Sequence, residues 1–163
     1  MASLQLGRGG KLGKTAMQKL IYLIQALEGV PVGYPFHFYH YGPYSSDLAG
    51  DLEFISTLQG VGITYDPYIN MYNISAGDKA NLLTKKAEDF LEQYKGKIDR
   101  IIRSFSDKRA EELELITSIV YTWRADQEDD EHKEHALVKR VAELKPKFNS
   151  QEIQHALNDL KTQ

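Results

Sequence analysis

The stretch Ile55-Ser-Thr-Leu-Gln-Gly-Val-Gly-Ile63, followed by Tyr72-Asn-Ile-Ser-Ala-Gly77, decides the fold of this chain. Apolar residues at helical spacing lead into two glycines, and such glycines let a strand turn back sharply onto the preceding helix. The pair Asp66-Pro67 is a turn signal between two strand-like runs. The sequence therefore predicts a β-hairpin directly after a helix.

The helix before this hairpin is predicted to begin at Ser45 or Ser46, because a serine side chain can cap a helix N-terminus, and to end at Gly60. Asp47 lies in its first turn, where the helix dipole favours an acid. The order of helix and hairpin predicts a winged-helix-like N-terminal core within a mainly α fold that has a minor β component. The expected apolar face of the helix is Leu48, Leu52, Ile55 and Leu58.

Upstream, a first helix is predicted from about Lys14 to Glu28, where Gly29 and Pro31 stop it. The aromatic run from Phe36 to Tyr41 predicts a short strand that Gly42-Pro43 breaks. The apolar stripe expected on the first helix is Ala16, Leu20, Leu23, Ile24 and Leu27.

Downstream, the pattern predicts helices at about 84–105, 107–124, 130–144 and 150–160, with Ser150 as the cap of the last helix. We therefore divide the chain into a winged-helix-like domain at 1–80, with a flexible basic N-terminus, and a helical extension of about four helices at 81–163. The first of these helices carries a coiled-coil-like seam, which either pairs with its copy in a homodimer or packs on the core. Its members are Ala87, Leu91, Tyr94, Ile98, Ile101 and Phe105, and the second helix directs Leu113, Ile116, Val120 and Trp123 inward.

Charge is distributed unevenly along the chain. The net charge is −3, but the stretch from Leu20 to Asp78 has no lysine or arginine. Winged-helix proteins bind nucleic acid through cationic side chains that contact the phosphates. This core has no lysine or arginine from Leu20 to Asp78, so it lacks the groups for that contact. The charged residues of the stretch are Glu28, Asp47, Asp51, Glu53, Asp66 and Asp78.

Composition narrows the classes of function. There is no cysteine, which removes disulfides, thiolate nucleophiles and zinc–thiolate sites. The start, 1–10, lacks the apolar core of a signal peptide, and no apolar run approaches the roughly 20 residues of a membrane helix. We expect a cytoplasmic location and no membrane partner.

No catalytic, cofactor-binding or metal-binding residues are predicted. Gly13-Lys14-Thr15 resembles the end of a phosphate-binding loop, but Arg8 stands where that motif needs glycine. An acidic cluster at 126–135 contains His132 and His135 and is read as a solvated loop, with cation binding left open. No nucleophile stands beside a recognisable base, so we predict that the chain is not an enzyme.

The segment Phe36-His-Phe-Tyr-His-Tyr-Gly-Pro-Tyr-Ser-Ser-Asp47 is unusually aromatic. Strand alternation would bury Phe36 and Phe38 and direct the tyrosines outward, or the reverse. Such enrichment is equally typical of a core and of a protein interface. The candidate partner surface is Tyr39, His40, Tyr41, Gly42, Pro43, Tyr44 and Asp47.

Three short motifs resemble a known family: Met17-Gln-Lys-Leu-Ile-Tyr-Leu23, then Tyr39-His-Tyr-Gly-Pro-Tyr-Ser45, then Asp51-Leu52 with Leu58 to Ile63. They resemble the uncharacterised YwgA-type proteins and are distantly similar to the Panacea antitoxin domain, over about 11–77. The resemblance implies a winged-helix-like core followed by helices. For the Panacea relatives it implies binding and neutralising a toxin, sometimes with regulation, and it brings no enzymatic residues.

The sequence thus favours a protein-interaction module on a winged-helix scaffold, with antitoxin-like activity implied by the resemblance. The expected partner is another protein, with a homodimer as a further expectation. The alternative is a nucleic-acid-binding regulator that uses cations outside the acidic second helix. Its candidate contacts are Arg8, Lys11, Lys14, Lys97, Arg100 and Arg103.

Overall fold

The computed structural model describes residues 12–125 and 133–162. Over these residues the chain is mainly helical with two small antiparallel sheets, which confirms the predicted fold class. None of the described helices is long and apolar enough to cross a bilayer. The winged-helix assignment itself stays a prediction.

The first elements are strand β1 (Leu12–Gly13) and helix α1 (Lys14–Glu28), and α1 has the bounds that the sequence predicts. Gly29 ends the helix in the left-handed conformation, with φ +62°. Leu20, Leu23 and Ile24 are buried as expected, whereas Leu27 near the helix end is exposed. The expectation of a flexible N-terminus falls largely outside the described residues, and it is wrong for β1.

The aromatic segment forms a hairpin, β2 (His37–Tyr39) and β3 (Gly42–Tyr44), and not one strand broken at Gly42-Pro43. The turn lies one step earlier, at 40–41, and Gly42 adopts φ +82°. Proline is tolerated in a strand at a sheet edge, where its missing N–H is not needed. A two-stranded sheet consists of edges alone, so Pro43 pairs with Phe38 without disrupting it.

Helix α2 (Ser46–Thr57) begins at the predicted cap, since Leu48 N donates to Ser45 Oγ at 3.3 Å. Leu48 and Leu52 are buried, but the expectation for Ile55 and Leu58 is wrong. The helix ends three residues before Gly60, and the left-handed Gln59 (φ +60°) redirects the chain. Both side chains therefore lie at or beyond the edge of the core.

The predicted hairpin follows as β4 (Val61–Asp66) and β5 (Met71–Ala76). Its second strand also pairs with β1, where Leu12 lies opposite Ile74. The sheet order is therefore β1-β5-β4, with β4 at one edge. This sheet joins the residues before α1 to the residues after α2.

The helical extension begins with α3 (Ala80–Lys86) and α4 (Glu88–Phe105), where the sequence predicts one helix from about Thr84. The break lies at Ala87, whose N–H bonds to the carbonyl of Thr84 in the tighter i→i−3 pattern. Ile101 and Phe105 at the end of the seam are buried in one cluster with Leu20 and Leu23 of α1. The second half of the seam, from Tyr94 to Phe105, therefore packs within the chain, whereas Ala87 at its start is exposed.

The last described helices are α5 (Ala110–Ala125), α6 (Lys133–Leu144) and α7 (Ser150–Lys161). Trp123 is 40% exposed, so its predicted inward position is wrong. The expected Ser150 cap is also wrong. Asn149 caps α7 and forms a reciprocal capping box with Glu152, because the helix begins one residue earlier than that expectation requires.

Two buried clusters hold these elements together. The larger contains side chains from both sides of residue 80, including Leu23, Ile74, Ile101 and Val120. The smaller lies among α5, α6 and α7. Helix α5 contributes to both, and its residues 113–120 are all buried. It is thus the central helix of the described structure.

Candidate functional site

The site is built where the β2–β3 hairpin lies on α5. Ser118 and Thr117 present small hydroxyl side chains there, and each hydroxyl bonds to a carbonyl of its own helix. A Cβ atom at Gly42 would lie 3.1 Å from Ser118 Oγ and 3.4 Å from Thr117 Oγ1. Glycine therefore permits both the left-handed backbone and the close approach of hairpin to helix.

Two polar residues of α1 hold the other side of the hairpin. Gln18 accepts from Ser45 N at 3.0 Å and donates to Ser45 O at 2.9 Å, so it clamps the start of α2. Lys19, which is 2% exposed, donates to the carbonyl of Pro43 at 2.7 Å. Two of the three motifs that carry the family resemblance, one on α1 and one on the hairpin, are thus joined by hydrogen bonds.

A buried group of charges lies beneath the hairpin turn. The Glu114 carboxylate pairs with Lys145 at 3.0 Å and with Lys147 at 2.9 Å. Lys145 also donates to the carbonyls of Tyr39 and His40. This ammonium therefore bridges the buried acid of α5 and the backbone of the turn.

Burial changes the protonation of this group. Burial lowers the pKa of Lys19 to about 8; Glu114 opposes that change and Lys145 adds to it. Burial alone would raise the pKa of Glu114, but hydrogen bonds from Lys147 and Lys145 outweigh it and hold that pKa below its usual value. Lys145 bonds to the backbone of the hairpin turn, so this group helps to position the hairpin.

The outer side of the hairpin is aromatic. Tyr39 and Tyr41 are 63% and 69% exposed, and Tyr44 is also exposed. The ring centroids of Tyr39 and Tyr44 are 6.0 Å apart, and His40 stands edge-on to Tyr39 at 5.7 Å. The tyrosines, His40 and Asp47 of the candidate surface are therefore accessible, whereas Gly42 and Pro43 are buried supports.

The inner side of the aromatic segment is core. Phe36 is half-buried and meets Tyr22 edge-on at 5.1 Å, while Phe38 lies 5.3 Å from Tyr121. Burial raises the pKa of Tyr22. One side of the segment is therefore core, and the other side is exposed to solvent; that the exposed side is a partner surface stays a prediction.

A second exposed line lies on α2, which begins directly after Tyr44 and its cap Ser45. Asp47, Asp51 and Phe54 recur at helical spacing and are exposed, and Leu58 follows on the same line. Tyr34 donates its hydroxyl to Asp51 at 2.9 Å; burial, and then this bond, raise the pKa of Tyr34 to about 12. We name Tyr39, Tyr41, Tyr44, Asp47, Asp51, Phe54 and Leu58 the acidic aromatic face.

The β4–β5 hairpin exposes a second aromatic group that the sequence did not indicate. Tyr65 and Tyr72 lie opposite each other with ring centroids 5.1 Å apart, and Tyr68 at the turn is 97% exposed. Lys14 lies 4.5 Å above the Tyr72 ring and pairs with Glu53 of α2. Both sides of the hairpin are exposed near its turn, because that end extends beyond the core.

The described cations among those proposed for nucleic acid are bonded within the chain. Arg100 pairs with Glu28 at 3.1 Å, and Lys97 donates to the Glu28 carbonyl at 2.7 Å. Arg103 donates to the carbonyl of Asp99 in its own helix, and Lys14 is described above. Arg8 and Lys11 lie outside the described residues.

No group of three or more metal-ligating side chains occurs among residues 12–125 and 133–162. Most of the acidic cluster at 126–135 lies outside these ranges, and His135 is exposed. A groove of about 480 Å³ lies among α1, α4, α5 and α7 and is lined chiefly by apolar side chains. Among its basic side chains, Arg100 pairs with Glu28 and Lys161 with Glu134.

The chain matches no protein-family model and no curated protein. The similarity to the YwgA-type and Panacea proteins therefore rests on the motifs quoted above. The hydrogen bonds from Gln18 and Lys19 to the hairpin and α2 cap give these motifs a structural reason within this chain.

Proposed function

We propose that this chain is a non-enzymatic protein-interaction module whose binding surface is the acidic aromatic face. One observation carries the proposal. Of the fifteen large apolar or aromatic side chains that are exposed among the described residues, eleven lie between Tyr39 and Tyr72 in sequence, and five of these eleven belong to the acidic aromatic face. Exposed apolar residues that cluster indicate an interaction site, whereas scattered ones need no explanation.

Side-chain type supports a protein partner. Tyrosine is favoured at protein interfaces because its rigid ring supplies area at little entropic cost while its hydroxyl tolerates water. The hairpin holds its three exposed tyrosines on a backbone anchored by Lys19 and Lys145. A preorganised surface loses less conformational freedom when it binds.

The scaffold is proposed to be winged-helix-like. The arrangement β1-β5-β4, in which the β4–β5 hairpin follows α2, is what a wing after a second helix requires. In such a scaffold α2 would be the helix that reads a DNA groove. Asp47 and Asp51 on its outer line would then face phosphates, which disfavours nucleic acid as the ligand.

The resemblance to the Panacea domain suggests that the partner is a protein toxin and that the activity is antitoxin-like. That part of the proposal comes from motifs alone. It is compatible with a surface that combines aromatic rings and acids, because such a surface fits an apolar and basic patch on another protein.

The test is site-specific photo-crosslinking of the full chain in its native host. A benzoyl-phenylalanine replaces Tyr41 in one variant and Gln151, exposed on α7, in the control. We expect a discrete higher-mass protein adduct from position 41 and none from position 151. Equal adducts from both positions, or none from position 41, would contradict the proposal.

A parallel titration with random-sequence duplex DNA distinguishes the alternative function, a nucleic-acid-binding regulator, from the proposed protein-interaction module. We expect no binding at low or physiological salt, because the exposed face is acidic. Salt-sensitive binding that falls in Lys97→Ser or Arg100→Ser would instead support the nucleic-acid regulator.

A further inference from the structure

We propose that the partner segment recognised by the acidic aromatic face is a positively charged amphipathic helix. This inference rests on the proposed function and names the chemical class of its partner. It follows from the order of charge and apolarity along α2, from the missing cations around it, and from the tyrosines at its N-terminal end.

The outward line of α2 has a direction. Asp47 and Asp51 lie in its first half, and Phe54 and Leu58 follow at its C-terminal end. Positions i, i+4, i+7 and i+11 share one face of a helix and span roughly 16 Å. A partner helix of about three turns would cover this line, with cations over the acids and apolar side chains over Phe54 and Leu58.

The acids on this line have no ionic partner among the described residues. Neither Asp47 nor Asp51 forms an ion pair there, and Asp51 accepts only the Tyr34 hydroxyl at 2.9 Å. Of the cations on α1, Lys14 pairs with Glu53 and lies over the Tyr72 ring, and Lys19 donates to the Pro43 carbonyl. A partner would therefore bring the cations that the chain lacks from Leu20 to Asp78.

The tyrosines at the N-terminal end suit the same partner. Tyr39 and Tyr41 present ring faces and hydroxyls to solvent, and aromatic faces attract lysine and arginine. A second copy of this chain fits poorly, because its copy of this face is equally acidic and brings no cation to Asp47 and Asp51. An anionic membrane or a nucleic acid is repelled for the same reason.

The experiment uses the full-length protein and a fluorescent, idealised Lys/Leu amphipathic peptide of about 18 residues. Controls are a Glu/Leu peptide of the same pattern and a Lys/Leu peptide with the leucines scattered around the helix. We expect saturable binding of the first peptide alone, measured by fluorescence anisotropy, and weaker binding at higher salt.

Variants locate the binding. Asp47→Lys with Asp51→Lys, and separately Phe54→Ser, should each weaken binding by about tenfold or more. Glu143→Lys, a matched reversal at an exposed position of α6, should change it by less than about twofold. Circular dichroism of each variant verifies that the fold is retained.

Several outcomes overturn the inference. They are no binding of the Lys/Leu peptide, equal binding of the Glu/Leu peptide, or equal losses from the α2 and α6 reversals. Binding that appears only in Arg8→Ser with Lys11→Ser would assign the face to the chain's own N-terminal segment. An adduct from position 41 together with no peptide binding refutes the cationic helix and leaves the interaction function standing.

Discussion

The ammonium of Lys19 on α1 lies 2.7 Å from the carbonyl oxygen of Pro43 in the β2–β3 hairpin, and the lysine is 2% exposed. Burying a cation is costly unless its hydrogen bonds are satisfied. The bond therefore ties the first helix to the β2–β3 hairpin, which carries the exposed tyrosines. The position of the exposed tyrosines therefore depends on a lysine that is itself buried.

Replacing Lys19 with methionine tests this tie. The change leaves the buried carbonyl of Pro43 without its donor, and we expect a loss of about 1–3 kcal/mol in the free energy of unfolding at pH 7. Urea denaturation measures it. Lys14→Met is the control on the same helix, where the ion pair with Glu53 is more exposed and a change within about 0.5 kcal/mol is expected. Equal losses would contradict the account.

The lowered pKa of Lys19 predicts a pH dependence. Its pKa is about 8 in the folded chain against an ordinary 10.5, so the unfolded state binds more protons between these values. Stability contributed by Lys19 therefore rises as pH increases through this window, by about 1–3 kcal/mol in total.

The measurement compares wild type and Lys19→Met from pH 8 to about 9.5, below the ordinary tyrosine pKa of about 10. Above that range the stability contributed by Tyr22 and Tyr34 falls as pH rises, because their pKa values are raised in the folded chain. This fall opposes the rise that Lys19 contributes. A difference between the two proteins that stays constant across the window would refute the prediction.

The lowered pKa of Glu114 predicts a second pH dependence of stability, at acidic pH. Its pKa lies below the usual value because Lys147 and Lys145 donate to it despite burial. Its stabilisation is present above the ordinary carboxyl pKa and is lost as pH falls through the folded-state value. Glu114→Gln should cost about 3–5 kcal/mol at pH 7, since it leaves Lys145 buried without a counter-charge.

Chemical denaturation at pH 7 and at acidic pH tests this prediction. Glu111→Gln serves as the control, because Glu111 is exposed and lies 3.8 Å from the same Lys147. We expect the control to differ little from wild type at either pH. A comparable loss in the control would show that the buried carboxylate has no special role.

Gly42 and Gly50 form a matched pair for substitution by alanine. At Gly42 the φ of +82° and the Ser118 oxygen 3.1 Å from the added Cβ both oppose the change, and we expect a loss of about 1–3 kcal/mol. Gly50 lies inside α2 with open space around it, so alanine there should stabilise by about 0.5–1 kcal/mol. Thermal unfolding resolves the two signs, and losses at both positions would contradict this explanation.

Partner binding by the acidic aromatic face should be separable from the stability of the fold. Phe54→Ser removes an aromatic side chain that is 61% exposed, so we expect unfolding free energy to change by less than about 0.5 kcal/mol while the adduct from position 41 disappears. Leu52→Ser, two residues away and buried, should instead destabilise the chain by several kcal/mol, roughly 2–5. Loss of the adduct without loss of fold is the diagnostic result.

Local patterns were sufficient for part of the fold. The bounds of α1, the Ser45 cap and the β4–β5 hairpin follow from helical spacing, capping chemistry and turn residues, and the structure confirms them. The β2–β3 hairpin was missed because Gly42-Pro43 was read as a break. That pair is held in a strand by contacts from elsewhere in the chain, namely the Lys19 bond to Pro43 and the packing of Gly42 on α5.

The buried charges were missed for a related reason. Lys19, Glu114 and Lys145 are distant in sequence, and each resembles an ordinary surface charge when read alone. The one local signal was Lys19 itself, which stands directly before Leu20 on the buried side of α1. Ile55 and Leu58 of α2 are exposed although the sequence predicts them on its apolar face. Helical periodicity identifies an apolar face but not the residue at which the core stops covering it.

Quantitative co-purification from the native host measures whether the acidic aromatic face binds a protein partner. The three baits are the wild type, the double variant Asp47→Lys/Asp51→Lys and the variant Glu143→Lys. The account predicts at least one protein recovered with wild type and Glu143→Lys whose recovery falls about tenfold or more with the α2 double reversal. Identical protein sets from all three baits would contradict the claim that the acidic aromatic face binds a partner.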